Sequence, residues 1–294
     1  MSNENDRGLV LGFPEYCEPA RRLAEAAGLA FEQIGLHIFP DGESRVRLPA
    51  RLPERVIICR SLDHPNAKLV ELALAAVTAR ELGASHLVLV APYLCYMRQD
   101  KAFRPGEAVS QPIIGSLLAR WFDEVVTVDP HLHRVHDLGQ AVPAKRATVL
   151  TAAGAMSGFL AETCKDAFLI GPDEESEQWV SSVAREGGLD YAVGRKRRLG
   201  DSRVEIILPE REYRGRQMVL LDDVASTGRT LEVTAGALSS HKPASISVLV
   251  THALFVKDAL QRLNKAGVGR IWSTDSIPHA TNVIHLAGLI STAL

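Results

Sequence analysis

Several things are missing from this chain of 294 residues, and each absence closes off a class of function. Neither sign of charge dominates. Lys and Arg total 33 against 35 Asp and Glu, for a net charge of −2, which argues against a nucleic-acid binder driven by phosphate contacts. Cysteine is scarce. The four thiols, Cys17, Cys59, Cys95 and Cys164, lie far apart with no CxxC pairing, so reduced and mostly buried side chains are expected rather than a disulfide framework. No apolar run approaches the ~20 residues a membrane span needs, and the opening MSNENDRG carries no signal-peptide pattern. A soluble, cytoplasmic protein is expected. What is present is 46% hydrophobic and 23% charged, a globular composition long enough for one large domain or two ordinary ones, each with its own core.

The chain is organised around VLLDDVASTGRTL, residues 219–231. Val219-Leu220-Leu221 has the character of a buried parallel strand, and Asp222 and Asp223 stand where that strand is expected to end. The small turn Ala225-Ser226-Thr227-Gly228 follows, and a helix is expected from near Thr230. A hydroxyl-rich turn opening a helix offers unpaired backbone N–H groups to an anion. The acidic pair before it suits ribose hydroxyls, or a divalent cation shared with a phosphate. Neighbouring buried carboxylates are costly unless something positive meets them, so the pattern points to a site that holds a sugar phosphate by both ends.

Upstream, Leu9–Gly12 reads as a strand and Glu18–Ala27 as a helix ended by Gly28. Residues 44–48 alternate like a half-exposed strand after a Pro-Asp-Gly turn, and that turn is the simplest account of Asp41-Gly42-Glu43. Strand 56–59, helix 66–82 and strand 86–91 form a unit that implies parallel pairing with a right-handed crossover. The loop 91–110 then falls at the carboxyl edge of the sheet, where α/β proteins bind ligands. There Arg98, Gln99 and Asp100 can hydrogen-bond or stack on a base, or form a solvated polar loop.

After a helix over 111–121 and a strand over 124–128 comes DPHLHRVHD. Its Asp129, His131, His133, His136 and Asp137 make the densest set of potential metal ligands. Zinc is conceivable, yet no thiolate or HExxH accompanies the cluster, and a hard-cation or phosphate contact from one or two members fits better. Residues 138–147 read as a connection, which places domains at 1–145 and 146–294, with the last residues packing back on the first. The second half repeats the first: MVLLDD and ASISVLVTH mirror RVIICRS and ASHLVLVAP. Where the second copy has Asp222-Asp223 the first has Arg60-Ser61, so the second half alone is expected to hold a sugar. The basic run Arg195-Lys196-Arg197-Arg198, flanked by Gly194 and Gly200, reads as a solvated face or as a closing loop that neutralises a transferring phosphoryl group.

In order along the chain, FPDGE (39–43), PYLCYMRQD (92–100), TVDPH (127–131), GPD (171–173), RKRR (195–198), LLDDVASTGRT (220–230) and STDSIP (273–278) resemble the motifs of the ribose-phosphate diphosphokinase (phosphoribosyl pyrophosphate synthetase) family. The resemblance implies two similar three-layer α/β/α domains with mainly parallel sheets, a phosphoribosyltransferase-like duplication. It implies Mg²⁺-dependent transfer of the diphosphoryl group of ATP to the C1 hydroxyl of ribose 5-phosphate, releasing AMP. Lys196 and Arg198 become the catalytic cations. Asp41, Gly42 and Glu43, with Arg98, Gln99 and Asp100, become nucleotide contacts, the first three reaching a neighbouring subunit of a homo-oligomer. His131, Asp129 and Asp173 become candidates for the metal. Asp222, Asp223, Ser226, Thr227, Gly228, Arg229 and Thr230 become the ribose 5-phosphate site. No nucleic acid or membrane is implied as a partner.

The sequence departs from the family pattern twice. Glu174-Glu175-Ser176 stands where small residues, often Gly-Gly, are usual, and two added acids repel an anionic ligand. Ser226 and Arg229 stand where the family has Asp and Gly. Two alternatives follow: a phosphoribosyltransferase that consumes the activated sugar, or a non-catalytic regulatory homologue.

Overall fold

The computed structural model describes residues 8–132, 137–198 and 204–294. Two compact units emerge. One comprises Met1–Leu150 together with Leu286–Leu294, the other Thr151–His285.

In the first unit the elements run β1 (Leu9–Gly12), α1 (Cys17–Ala27), β2 (Ala30–Gln33), β3 (Gly35–Ile38), β4 (Ser44–Arg47), β5 (Arg55–Cys59), α2 (Pro65–Glu81), β6 (His86–Val90), α3 (Ser110–Trp121), β7 (Glu124–Val128), α4 (Leu138–Ala141) and β8 (Arg146–Leu150). Among the described residues six of these strands form one parallel sheet in the order β2-β1-β5-β6-β7-β8. Its central strands are apolar without alternation because helices cover both faces. Val56, Ile57 and Ile58 have no exposed surface, and burial of each such side chain contributes about 1.5–3 kcal/mol. Residues 138–147, expected to be a connection, hold α4 and the start of β8. Lys145 and Arg146 gave that strand a polar look because it is the sheet's edge, half-covered along its length.

The second unit runs α5 (Ala153–Thr163), β9 (Phe168–Gly171), α6 (Glu177–Gly187), β10 (Tyr191–Val193), β11 (Arg195–Arg198), β12 (Val204–Ile207), β13 (Gln217–Ala225), α7 (Arg229–Ser239), β14 (Ser245–Ala253), α8 (Ala259–Lys265), β15 (Arg270–Thr274) and β16 (Asn282–Ile284). Its sheet order, β10-β9-β13-β14-β15-β16, is that of the first unit strand for strand. The final helix, α9 (Ala287–Ser291), packs on α1, and Arg55 Nη2 donates to the Leu294 carbonyl at 2.7 Å.

The duplication is legible to the residue. Met218 lies between Phe168 and Ile246 as Val56 lies between Leu9 and Leu87. Helix α1 buries Ala20, Leu23 and Ala24 and stops at Gly28 with φ 63°. Helix α6 buries Val180, Val183 and Ala184 and stops at Gly188 with φ 61°. Both glycines take the left-handed conformation that ends a helix without steric penalty. Each unit also carries a two-stranded antiparallel ribbon, β3–β4 or β11–β12, inserted after its second strand.

Candidate functional site

In the second unit three segments bring charged groups together. The first is the turn leaving β9. Asp173 is buried, and its side chain accepts from the Ser176 backbone N–H while Ser176 Oγ takes part in the reciprocal cap. The hydroxyl of Ser176 donates to the Asp173 carbonyl at 2.5 Å. Glu174–Ser176 is thus a single 3-10 turn whose two glutamates are exposed, where water and salt screen their charge. Ser176 is buried and structural. Gly171 has no room for a side chain, since a Cβ there would stand 2.5 Å from Ser176 Oγ and 3.2 Å from Val180 Cγ2. Gly171→Ala should therefore shift the Asp173 turn and lower unfolding free energy by about 1–3 kcal/mol, measured by urea titration; an unchanged midpoint would show that the turn yields without cost.

The second segment is β13. The strand does not end at the acids, as the sequence suggested; its ladder with β14 resumes at Val224–His252 and Ala225–Ala253. Asp223 is buried and Asp222 half-buried, and the Asp223 N–H donates to Asp222 Oδ1 at 3.0 Å. Burial pushes the Asp222 carboxyl well above the usual carboxylate range, and the charges of Asp223 and then Asp173 push it further. This carboxylate cluster calls for a positive partner.

The third segment is β11, a strand of the ribbon rather than the loop expected. Lys196 pairs with Ile206 in register, and its Nζ lies 3.4 Å from Asp173 Oδ2. Asp173 is therefore shared: it meets the Lys196 ammonium, and its charge acts on Asp222. Arg198 is the last residue of the strand. Gly200 lies outside the described residues.

From β13 the chain enters the loop that starts α7. Three successive carbonyls of this loop are tied back: Ala225 O accepts from Phe255 N at 2.8 Å, Ser226 O from Val256 N at 3.0 Å, and Thr227 O from Arg262 Nη2 at 2.5 Å. In a trans peptide the N–H points opposite to its carbonyl, so the amides of Ser226, Thr227 and Gly228 are turned away from that support. Gly228, with φ 68°, begins the helix and offers no side chain of its own as a cap, while Thr227 Oγ1 accepts from the Arg229 N–H at 3.4 Å. An anion suits such a terminus. Ser226 and Thr230 are half-buried and Thr227 is exposed. Arg229 turns along the helix, its Nη1 meeting Glu232 at 3.1 and 3.2 Å. Glu232 also accepts from Arg262 Nε at 3.1 Å. Sequence reasoning missed Arg262, for nothing local marks it: its partner Thr227 is 35 residues away.

In the first unit Asp41, Gly42 and Glu43 form the exposed tip of the β3–β4 ribbon. Gly42 takes φ 91°, Glu43 N–H donates to Asp41 Oδ1 at 3.1 Å, and Phe39 N–H donates to Glu43 O at 2.8 Å. Arg98 and Gln99 are exposed on the loop after β6 and Asp100 is half-buried. Gln99 also organises that loop, its side-chain carbonyl accepting from Ser110 Oγ at 2.6 Å at the start of α3. Asp129 is buried just beyond β7 with φ 39°, a conformation uncommon outside glycine, and His131 is half-buried. His133 and His136 lie outside the described residues. Asp137 accepts from Gly139 N–H at the start of α4, a structural duty. Among the described residues no group of three or more His, Cys, Asp or Glu side chains converges as a metal-holding set. No described helix is long and apolar enough to cross a membrane.

Two duplicated parallel α/β units, one carrying an acid pair within the last residues of its central strand and an anion-ready loop beyond it, define a phosphoribosyltransferase-type architecture. Comparison with known proteins agrees. Residues 12–121 match the N-terminal domain of ribose phosphate pyrophosphokinase, and residues 146–272 the phosphoribosyl transferase domain. A ribose-phosphate pyrophosphokinase of Methanopyrus kandleri is 33% identical over 97% of this chain and 98% of its own. Ribose-phosphate pyrophosphokinase 2 of Archaeoglobus fulgidus is 33% identical over 92% of this chain and 94% of its own. The crystal structure of phosphoribosylpyrophosphate synthetase from Mycobacterium smegmatis shares the fold, with a TM-score of 0.81 over 97% of both chains at 20% identity. The chain belongs to the ribose-phosphate pyrophosphokinase family of enzymes.

Proposed function

We propose that this enzyme transfers the diphosphoryl group of ATP to the C1 hydroxyl of ribose 5-phosphate, giving phosphoribosyl pyrophosphate and AMP. The observation that carries the reading is the shared carboxylate Asp173, which links Lys196 to the Asp222–Asp223 pair ahead of the anchored loop. In the reaction the C1 hydroxyl oxygen attacks the β-phosphorus. A C1–O–P bond forms, the bond from the β-phosphorus to the α,β-bridging oxygen breaks, and the hydroxyl proton is lost. Such chemistry demands alignment and charge neutralisation rather than a covalent intermediate.

Asp222 and Asp223 accept from the ribose hydroxyls, and the loop from Ser226 to Thr230 holds the 5-phosphate through the amides of Ser226, Thr227 and Gly228 and its hydroxyls. Arg229, engaged with Glu232, steadies the first turn of α7. Lys196 and Arg198 neutralise charge that builds on the diphosphoryl group. Asp41, Gly42, Glu43, Arg98, Gln99 and Asp100 contact ATP. The exposed ribbon tip, flanked by Ile38 and Phe39 at 52% and 38% exposure, supports delivery of the first three to a neighbouring subunit of a homo-oligomer.

Magnesium fits the residues present. The donor set around Asp222 is all oxygen, burial and then the charges of Asp223 and Asp173 raise the Asp222 pKa, and a set smaller than three suits an ion that keeps water and phosphate among its ligands. Asp173 is the ligand proposed in the second unit, with Asp129 and His131 as the first unit's contacts to magnesium–ATP. The ion supplies charge neutralisation for the phosphates when bound. A cytoplasmic location accords with these soluble substrates.

The phosphoribosyltransferase alternative leaves the basic ribbon and its contact with Asp173 without a task. Incubation with ATP, Mg²⁺ and ribose 5-phosphate is expected to release AMP. Absence of AMP above the Lys196→Ala background, or pyrophosphate release that needs a nucleobase, would overturn the reading.

A further inference from the structure

The duplication asks what became of the first unit's counterpart to the sugar site. Four residues beyond Val56 in β5 stands Arg60, at the position that Asp222 holds four residues beyond Met218. Its guanidinium is 2% exposed and lies 3.7 Å over the Phe13 ring. Nε meets Glu15 Oε1 at 2.6 Å, Nη2 meets Glu71 Oε2 at 2.5 Å, and Nη1 donates to the Lys68 carbonyl at 3.2 Å. Lys68 is itself engaged with Asp63 at 2.7 Å. The place that holds acids in one unit holds a satisfied ion cluster in the other.

That cluster does not end at Glu71. The second oxygen of Glu71 accepts from Ser44 Oγ at 2.8 Å. Ser44 is the first residue of β4, one residue from Glu43. Strands β3 and β4 pair with each other alone among the described residues. A two-stranded ribbon is marginally ordered by itself, and this one is held by Leu36 and Val46 packing on the core and, at its tip-side end, by the Ser44 bond to Glu71. Buried ion pairs add little to stability against an apolar replacement, but they can fix one geometry. Here the geometry is that of the ribbon whose tip is Asp41-Gly42-Glu43.

We infer that Arg60, Glu71 and Ser44 are positioning residues for nucleotide binding, a relay that converts the unused sugar position of the first unit into an anchor for the ATP-contacting ribbon. The inference rests on the reading that Asp41 to Glu43 touch ATP.

Ser44→Ala is the least disruptive probe, because it removes one hydroxyl and leaves the buried ions in place. It should raise KM for ATP about ten-fold, as expected for loss of a hydrogen bond to a charged group, while KM for ribose 5-phosphate stays near the parent value. Ser44→Thr, which keeps the hydroxyl, should restore ATP binding. Amide hydrogen exchange over residues 35–47 should speed up in Ser44→Ala and Glu71→Gln and return in Ser44→Thr. An unchanged KM for ATP in Ser44→Ala, or an equal rise for both substrates, overturns the inference. Asp41→Asn separates the two failures: if it raises KM for ATP while Ser44→Ala does not, the relay is wrong; if neither does, the nucleotide reading itself is wrong.

Discussion

Lys196→Ala is expected to lower kcat about 10³-fold, the scale seen when a cation aimed at transition-state phosphoryl charge is removed, with little change in KM for either substrate. Lys196 sits on β11, held in register by β12, and its ammonium lies 3.4 Å from Asp173 Oδ2. The side chain is exposed, so its loss leaves the core intact. A charge that strengthens its hold only as the β-phosphoryl group transfers acts on kcat rather than on ground-state binding. Lys196→Arg should recover part of the rate, because it keeps the charge with a different reach and shape. Steady-state assays of AMP formation under saturating substrates check this. A fall in affinity with kcat preserved would place Lys196 in ground-state binding instead.

The second large effect has opposite signs for binding and for stability. Asp222→Asn should raise KM for ribose 5-phosphate about 100-fold, since a neutral amide replaces a charged acceptor for ribose hydroxyls. The same change should raise the thermal midpoint of the metal-free protein by about 2–4 °C at pH 8. The sign follows from linkage. Burial, Asp223 and Asp173 raise the folded-state pKa of Asp222 above its ordinary value. Its carboxyl therefore favours the folded state below the ordinary pKa, and that contribution is lost as pH rises through the raised folded value. The gain from Asn should be smallest near pH 4 and largest above neutrality. Added Mg²⁺ should stabilise the parent more than the variant, because a bound cation relieves the repulsion that Asn has already removed. Calorimetry from pH 4 to 8 tests each statement, and a midpoint lowered at every pH would contradict them.

Much of this was legible in the amino-acid sequence. The parallel strands announced themselves as unbroken apolar runs, and Gly28 marked a helix end that the structure places at φ 63°. The pairing of Arg60-Ser61 with Asp222-Asp223 was readable by eye and holds in the strand registers. Three features were not legible. Strand β13 continues past its acids because the neighbouring β14 extends alongside, a partner that local composition cannot reveal. Arg195–Arg198 looked like a loop because charge dominates it, yet pairing with Val204–Ile207 makes it a strand. Edge strand β8 was hidden in a polar stretch for a related reason, since one side of it faces water.

The supporting contacts were the least accessible of all. Arg262 holds Thr227, and Glu71 holds Arg60 and Ser44, through side chains distant in sequence and ordinary in composition. The acids and hydroxyls proposed to bind the sugar phosphate cluster locally, because one turn must present them together. The groups that brace that turn come from wherever the fold brings them.

The proposed reaction moves a diphosphoryl group intact from ATP to a sugar phosphate. Phosphorus NMR of the enzyme with ATP, Mg²⁺ and ribose 5-phosphate reads this without a coupling enzyme. AMP and a new pair of diphosphate resonances on the sugar should grow together, and neither should form with Lys196→Ala at the parent rate. ADP with a singly phosphorylated new product, or ATP left unchanged, would contradict it.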